Sequence, residues 1–551
     1  MPQTFIELLE ERIKSHWDLP AFSDYGSDSR SYGDIADRIA WLHYIFRQSR
    51  IKPGDKIAVI GRNSSNWAVT YLAAVSYGAV IVPILPDFHV EDIHHIINHS
   101  DSVFLFSSDA IFETLDFEIM PNLEACFSLS DFRLLDNRKR TIPQILSEVD
   151  FEYLKEYDGK LTKNNLSLSR LGNDDLAAIV YTSGTTGFSK GAMLPHGSLF
   201  ANVDFAERSI DLQAGNRIVS FMPLAHSYGC AFEFLFPFIV GCHVTFLSKM
   251  PSPKIIVEAF QNIRPHLILS VPLIIEKIYR KRLKPTISKP TMKAALALPG
   301  VNRILEKKIC AKLNDVFGSE FIEIIVGGAA LNPEVESFFK RIGFHITVGY
   351  GMTECGPLIS YSGWSEHRPG SVGKLVDTLD IKFDSPDPTK VVGEILVRGS
   401  NVMKGYYKNK EATNQVLDED GWLHTGDLGL MDGEGFIYLK GRSKSLLLGP
   451  SGQNIYPEEV EAKLNYMPYV QESLVIQKEG KLYALVYPDL ERVDAEKIDE
   501  TTLMTFMEEN RKNLNTLLPS YSAIVKIELY PEEFEKTPTK KIKRFLHQAP
   551  V

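Results

Sequence analysis

The chain has 551 residues, of which 44% are hydrophobic and 24% charged, and its formal net charge is −10. That length exceeds what one hydrophobic core supports, so an ordinary globular composition here implies two or more domains. The acidic balance excludes general nucleic-acid binding, which needs a basic footprint, and five scattered cysteines with no C-x-x-C pair suit reduced thiols in a cytoplasmic compartment.

The opening stretch MPQTFIELLEERIK mixes acids into apolar positions at helical spacing, which argues against a signal peptide. No charged residue occurs from Asn63 to Pro86, yet the pattern changes midway. WAVTYLAAVSY suits a buried helix stopped at Gly78, and AVIVP suits a strand closed by Pro83, so helix then strand is expected rather than a membrane span. A second apolar run, Gly229 to Leu247, carries Glu233 and His243, which are costly at bilayer depth. No transmembrane segment is expected, and peripheral contact at the inner face of a membrane is left open.

Short β-branched runs (KIAVIG, AVIVPI, SVFLFS, AAIVYTS, RIVSFM, HVTFLS, HLILSV, FIEIIVGG) alternate with longer helical patterns. Such alternation points to βαβ units around mainly parallel sheets, whose ligands bind beyond the carboxyl ends of strands. Between Lys277 and Lys293 there are seven Lys or Arg residues and no acid. This is either a solvated surface loop or a docking patch for phosphates or anionic lipid. After about residue 360 the texture changes to strand-and-turn signals, KVVGEILVRG and GEGFIYLKG, as in a β-rich subdomain. A small α+β unit follows and ends in the basic tail EKTPTKKIKRFL. The expected division is 1–440 and 441–551, with the boundary near Gly441 to Lys444.

The strand pattern AAIVY runs directly into YTSGTTGFSKG, residues 181–191. Glycines let backbone N–H groups close on an anion, hydroxyls add donors, and Lys190 adds a point charge. It is not a Walker loop, because Ser189 stands where the second glycine belongs and Gly191 follows Lys190.

With GYGMTE at 349–354, HTGDLG at 424–429, GRSK at 441–444 and PTKKIKR at 538–544, this run occurs in an order that resembles the adenylate-forming superfamily. That group includes acyl-CoA synthetases, firefly luciferase and peptide synthetase adenylation domains. LLLGPSGQNIYPEEVE and the PTKKIKR ending look most like bacterial long-chain fatty acid CoA ligases.

The resemblance implies an α/β fold, with a large N-terminal domain of layered α/β subdomains plus a β-rich subdomain, then a small mobile α+β C-terminal domain. It also implies a fatty acid, ATP and coenzyme A as small-molecule substrates, with Mg²⁺ as cofactor. The carboxylate would attack the α-phosphate, expel diphosphate and become acyl-AMP, which a thiol then attacks, so catalysis is chiefly positioning and electrostatics.

Thr182, Ser183, Gly184, Thr185, Thr186, Gly187 and Lys190 would bind the triphosphate, and Glu354, with Thr182, would hold Mg²⁺ through hard oxygens. Tyr350 would offer a face to adenine, Gly351 would belong to the same motif, and Gly327, Gly328, Ala329 and Ala330 would let backbone approach the base edge. Thr353 would reach the α-phosphate, and Asp427 would accept from the ribose hydroxyls with Arg442 nearby. Lys541 would supply the catalytic charge; Lys540 stands where relatives carry glycine in P-T-G-K.

His226, in PLAHSYG, is either a satisfied structural histidine or a gate between nucleotide and acyl sites. Lys444 falls at the family's interdomain hinge, and Gly452 would flank the CoA tunnel. Many relatives acting on aryl acids have lysine four residues beyond the hinge; Leu448 there weakens an aryl reading. Three alternatives stay open: delivery to a carrier-protein phosphopantetheine, a silent acyl-binding scaffold, and a luciferase-like oxygenase on fold alone.

Overall fold

The computed structural model describes residues 3–182, 189–248, 252–449, 453–537 and 541–547. The β-branched runs become the inner strands of two seven-stranded sheets. One sheet runs in the order Leu134–Asn137, Ala125–Ser128, Ser102–Ser107, Lys56–Ile60, Val80–Ile84, Leu176–Thr182, Lys190–Pro195. Its five inner strands are parallel, and the two edge strands are antiparallel to their neighbours. The other runs Ile346–Val348, Glu323–Val326, Leu267–Ser270, Arg217–Ser220, His243–Phe246, Pro20–Asp24, Arg30–Ser31, all parallel except the last.

Both faces of such strands are covered, which explains their continuous apolar character: Ile57, Val59, Phe104, Phe106 and Ile179 are all buried. The helix Ser65–Tyr77 is buried almost all round because it carries no charge. Ser64 caps its start, and Gly78 ends it as the sequence indicates. Complete burial of a side chain as large as Trp67 or Leu72 contributes roughly 1.5–3 kcal/mol each. One expectation is corrected: Pro83 does not close its strand. Val80–Ile84 continues through it, pairing Pro83 with Val59 and Ile84 with Ile60, because the fixed φ of proline is compatible with extended backbone. The second apolar run forms helical turns from Ser227 to Val240, π-helical over Cys230–Leu235, and then the strand His243–Phe246. No helix among the described residues is long and apolar enough to cross a membrane.

The chain divides into two compact units. The first contains both large sheets and the small antiparallel sheet Tyr350–Gly351, Leu358–Tyr361, Lys374–Leu375, and takes in Val397–Leu423. The second takes in Ile381–Leu396 and the chain from His424 onward. It is organised on the hairpin of Leu423–Met431 with Ile437–Arg442, the helix Pro457–Leu464, and a sheet of Val470–Lys478, Lys481–Pro488 and Ile524–Leu529. Val460, Leu464, Val475, Val486, Met507 and Leu514 are among the residues of its own core. The 440/441 position lies inside this unit, where Lys440 pairs with Glu459 at 3.0 Å. All five cysteines are free; Cys126, Cys230, Cys242 and Cys355 are buried and Cys310 is half-buried.

Candidate active site

Thr182 ends the parallel strand Leu176–Thr182, and Lys190 opens the antiparallel strand that returns beside it. The two residues pair across this hairpin, with the Thr182 hydroxyl donating to the Lys190 carbonyl at 3.4 Å. The glycine-rich run between them includes Ser183, Gly184, Thr185, Thr186 and Gly187, which lie outside the described residues, as do Lys540 and Gly452. The returning strand is fixed by residues 404–407: Lys404 donates to the Met193 carbonyl, and Tyr407 to the Gly191 carbonyl, each at 2.8 Å.

Tyr406, in this bracing segment, was not singled out by its sequence pattern. The Lys190 ammonium sits 5.2 Å from its ring centroid, and its hydroxyl donates to Glu354 Oε1 at 2.8 Å. Burial, reinforced by the adjacent Glu354 carboxylate, pushes the phenol well up, so Tyr406 remains a donor at neutral pH. The structure thus joins the cation of the glycine-rich hairpin to the carboxylate of the GYGMTE turn through one ring. Glu354 is 8% exposed, and Met403 donates its N–H to the Glu354 carbonyl at 2.8 Å. No group of three or more His, Cys, Asp or Glu residues able to hold a metal occurs among the described residues. A single oriented carboxylate fits Mg²⁺, which keeps waters and phosphate oxygens in its shell rather than an all-protein cage.

The other large sheet positions the remaining residues of the first unit. Glu323–Val326 and Ile346–Val348 are parallel neighbours, with Val326 paired to Val348, so both carboxyl ends open side by side. Gly327 to Ala330 leave the first of these ends, and Gly349, Tyr350 and Gly351 leave the second. Gly328, Ala329, Ala330 and Gly351 are exposed, whereas Tyr350 is buried. A Cβ on Gly327 would stand 3.0 Å from the ring of Tyr228, whose hydroxyl donates to the Ile325 carbonyl at 2.9 Å, so this glycine allows the ring to pack beneath the loop.

His226 is half-buried and its Nδ1 accepts the Tyr228 N–H at 3.2 Å, which leaves the proton of a neutral ring on Nε2. Its neighbour Ser227 donates to the Thr353 hydroxyl at 3.5 Å, bringing two of the sequence candidates together. The segment leading to His226 is held by two residues whose part here the sequence does not show. Glu233 Oε2 accepts the N–H groups of Phe221 and Met222 at 2.8 and 2.9 Å. Asn63 donates to the Met222 carbonyl at 2.7 Å and accepts from the Leu224 N–H at 3.1 Å. Burial pushes the Glu233 carboxyl well above the usual range, and its other oxygen is buried as well.

In the second unit, Asp427 and Arg442 face each other across the hairpin, Arg442 Nε to Asp427 Oδ1 at 3.1 Å. Asp427 is buried and donates its N–H to the Thr425 hydroxyl at 3.0 Å; Thr425 in turn donates to the Ile395 carbonyl at 2.7 Å. Lys444 is exposed in the turn Ser443–Ser445. Lys541 is exposed and its N–H donates to the Thr537 hydroxyl at 3.2 Å.

The Lys190 hairpin, the buried Glu354 carboxylate and the exposed glycine loops at parallel strand ends all belong to the first unit. Residues 9–407 match the family described as AMP-binding enzyme, and the chain belongs to that family of adenylate-forming acid–thiol ligases. It is 30% identical over 540 residues to the "Long-chain-fatty-acid--[acyl-carrier-protein] ligase AEE15, chloroplastic" of Arabidopsis thaliana, covering 84% of this chain and 73% of that one. To the "Long-chain-fatty-acid--CoA ligase FadD15" of Mycobacterium bovis it is 25% identical over 536 residues, 90% of this chain and 86% of the other. Among solved structures, the anthranilate CoA ligase AuaEII with anthranoyl-AMP superposes with a TM-score of 0.77 at 20% identity, covering 99% and 96% of the two chains. The o-succinylbenzoate coenzyme A synthetase of Bacillus subtilis with ATP and magnesium gives 0.73 at 19% identity, covering 98% of each. These likenesses establish the layered α/β fold with its β-rich part.

Proposed function

We propose that the protein is a fatty acid CoA ligase. The reading rests on one observation above all: the Lys190–Tyr406–Glu354 contact chain, which orients a cation and a carboxylate at the mouth of the hydroxyl-rich hairpin. The acid's carboxylate oxygen attacks the α-phosphorus, the bond to the β-phosphate oxygen breaks, and diphosphate leaves. Lys190 and the run from Thr182 to Gly187 hold that leaving group. Glu354, with Thr182, would hold Mg²⁺, which when bound would supply Lewis-acid screening of the phosphate charge. Tyr406 fixes the Glu354 carboxylate by donating to its Oε1. The backbone of Gly327 to Ala330 borders the base, with Tyr350 and Gly351 beside it, and Asp427 with Arg442 takes the ribose hydroxyls. Thr353 binds the α-phosphate, and Lys541 neutralises charge that builds there in the transition state. In the second half-reaction the CoA thiol loses its proton, sulfur bonds to the acyl carbon, and AMP departs with the carbon–oxygen electron pair.

We place His226 at the thiol's entrance. The division at 440/441, the hinge at Lys444 and the CoA-side role of Gly452 belong to the same proposal. Delivery to a carrier-protein phosphopantetheine is the second reading, favoured by the relative described as an acyl-carrier-protein ligase. The test is acid-dependent ATP–diphosphate exchange across fatty acids of graded length, with aryl acids as controls, followed by CoA or holo-carrier protein. Exchange with long-chain acids and CoA-dependent AMP release are expected. Exchange with aryl acids alone defeats the fatty acid reading, and AMP release with carrier protein alone selects the second reading.

A further inference from the structure

The helices Pro290–Ala297 and Val301–Val316 form a hairpin whose tip is ALPGV, residues 297–301. Gly300 makes this turn at φ 87° with open space where a side chain would stand, and Asn302 Oδ1 closes it by accepting the N–H groups of Gly300 and Arg303 at 3.1 and 2.8 Å. The tip is apolar and exposed: Leu298 is 55% exposed, Val301 40% and Ile304 59%. Along the chain on either side of it, Lys289, Lys293, Arg303, Lys307, Lys308 and Lys312 are all exposed. From residue 289 to 312 the only acid is Glu306, and it is engaged by Arg341 at 3.3 Å. This cationic surface belongs to a chain whose overall charge is −10.

The hairpin is not a loose appendage. The preceding helix Pro272–Ile278 begins just beyond the strand Leu267–Ser270, and Glu276 Oε1 accepts the Asn332 N–H at 3.1 Å. Tyr279 donates to Glu334 Oε1 at 3.1 Å, so this arm is tied to the segment that follows the Gly327–Ala330 loop.

We propose that the hairpin tip docks on an anionic phospholipid bilayer, with Leu298, Val301 and Ile304 entering the interface and the six cations meeting lipid phosphates. An apolar tip backed along both helices by long cationic side chains matches the two layers that an interface presents, acyl boundary and headgroup. An acidic protein would satisfy the cations but would not require three exposed aliphatic side chains at the apex. Docking does not depend on the proposed reaction, so it is read without ATP or acid.

The experiment is co-sedimentation of the full chain with phosphatidylcholine vesicles, with and without phosphatidylglycerol, at low and raised salt. Wild type should bind only the phosphatidylglycerol vesicles and lose most of that binding in salt. The K307E/K308E double variant should weaken partitioning at least about 25-fold, taking about fivefold for each cation near the surface. The L298D/I304D double variant should lose the residual binding that survives in salt. Both are checked by thermal unfolding, where an unchanged midpoint shows that these exposed positions leave the fold intact; should one pair fail this check, the other still decides. Absence of wild-type binding, or equal binding by a folded variant, overturns the proposal. So does an outcome in which the variants lose an acidic carrier protein or a second copy of the chain while vesicle binding persists.

Discussion

The candidate residues of the two units are held in opposite ways. In the first unit, Glu354 and Tyr406 are buried and locked to each other, and the lysine beside them lies over the tyrosine ring. In the second, only Asp427 is buried; Arg442, Lys444 and Lys541 are exposed. Buried polar groups with fixed partners keep charges in place without reorganisation, whereas exposed lysines gain little from local contacts. The difference separates candidate residues fixed by buried partners from candidate residues at the surface.

Removing one charge from each unit tests the contrast most strongly. Lys541→Ala should slow diphosphate exchange about a hundredfold or more, while thioester formation from supplied acyl-AMP stays near wild type and the fold is unaffected. Glu354→Gln should cost a similar factor but also raise the Mg²⁺ concentration needed for half-maximal exchange, measured by metal titration. Equal metal dependence in the two variants would erase the distinction. Tyr406→Phe leaves a buried carboxylate without its donor, which costs about 1–3 kcal/mol. Exchange should therefore fall roughly 5- to 150-fold, with the same shift in Mg²⁺ requirement as Glu354→Gln. Lys444→Pro restricts the backbone at the proposed hinge. It should slow thioester formation more than exchange, and comparable rates in both half-reactions would remove the hinge from the second unit.

Glu233→Gln should have the smallest effect on rate, since Gln Oε1 still accepts the Phe221 and Met222 N–H groups. Its signature is in stability. The Glu233 carboxyl is raised in the native state, so above its ordinary value near 4.3 the unfolded chain releases a proton that the folded chain keeps, and stability declines as pH rises. The variant should become more stable relative to wild type between pH 5 and pH 8, as read by denaturant midpoints. A pH-independent difference would mean that the carboxyl is ionised in the native protein.

Much of this molecule was legible in its sequence because parallel strands covered on both faces must be uninterrupted and β-branched, as KIAVIG and FIEIIV are. The glycine-rich run stood out because backbone approach to an anion demands those residue types, and its residues 183–188 lie outside the described part. Tyr406 was not, because its role exists only through Glu354, 52 residues away. Asn63 holds a segment 159 residues distant, and in a linear reading it is simply an uncharged polar residue. Glu233 registered only as a charge that argued against a membrane span; its use as an acceptor for two backbone amides depends on the π-helical turn that aims it. Pro83 misled in the other direction, since its turn propensity yields to a strand flanked on both sides.

The cysteine distribution gives the protein a built-in attachment point. Four thiols are sealed inside, and Cys310 alone is partly accessible, on the helix that rises from the ALPGV turn. Burial raises its thiol as well, so alkylation should proceed slowly at neutral pH and faster in mild base. An environment-sensitive maleimide dye would therefore enter the native chain at a single address, and its emission colour would report when that helix leaves water for lipid, with no engineered residue.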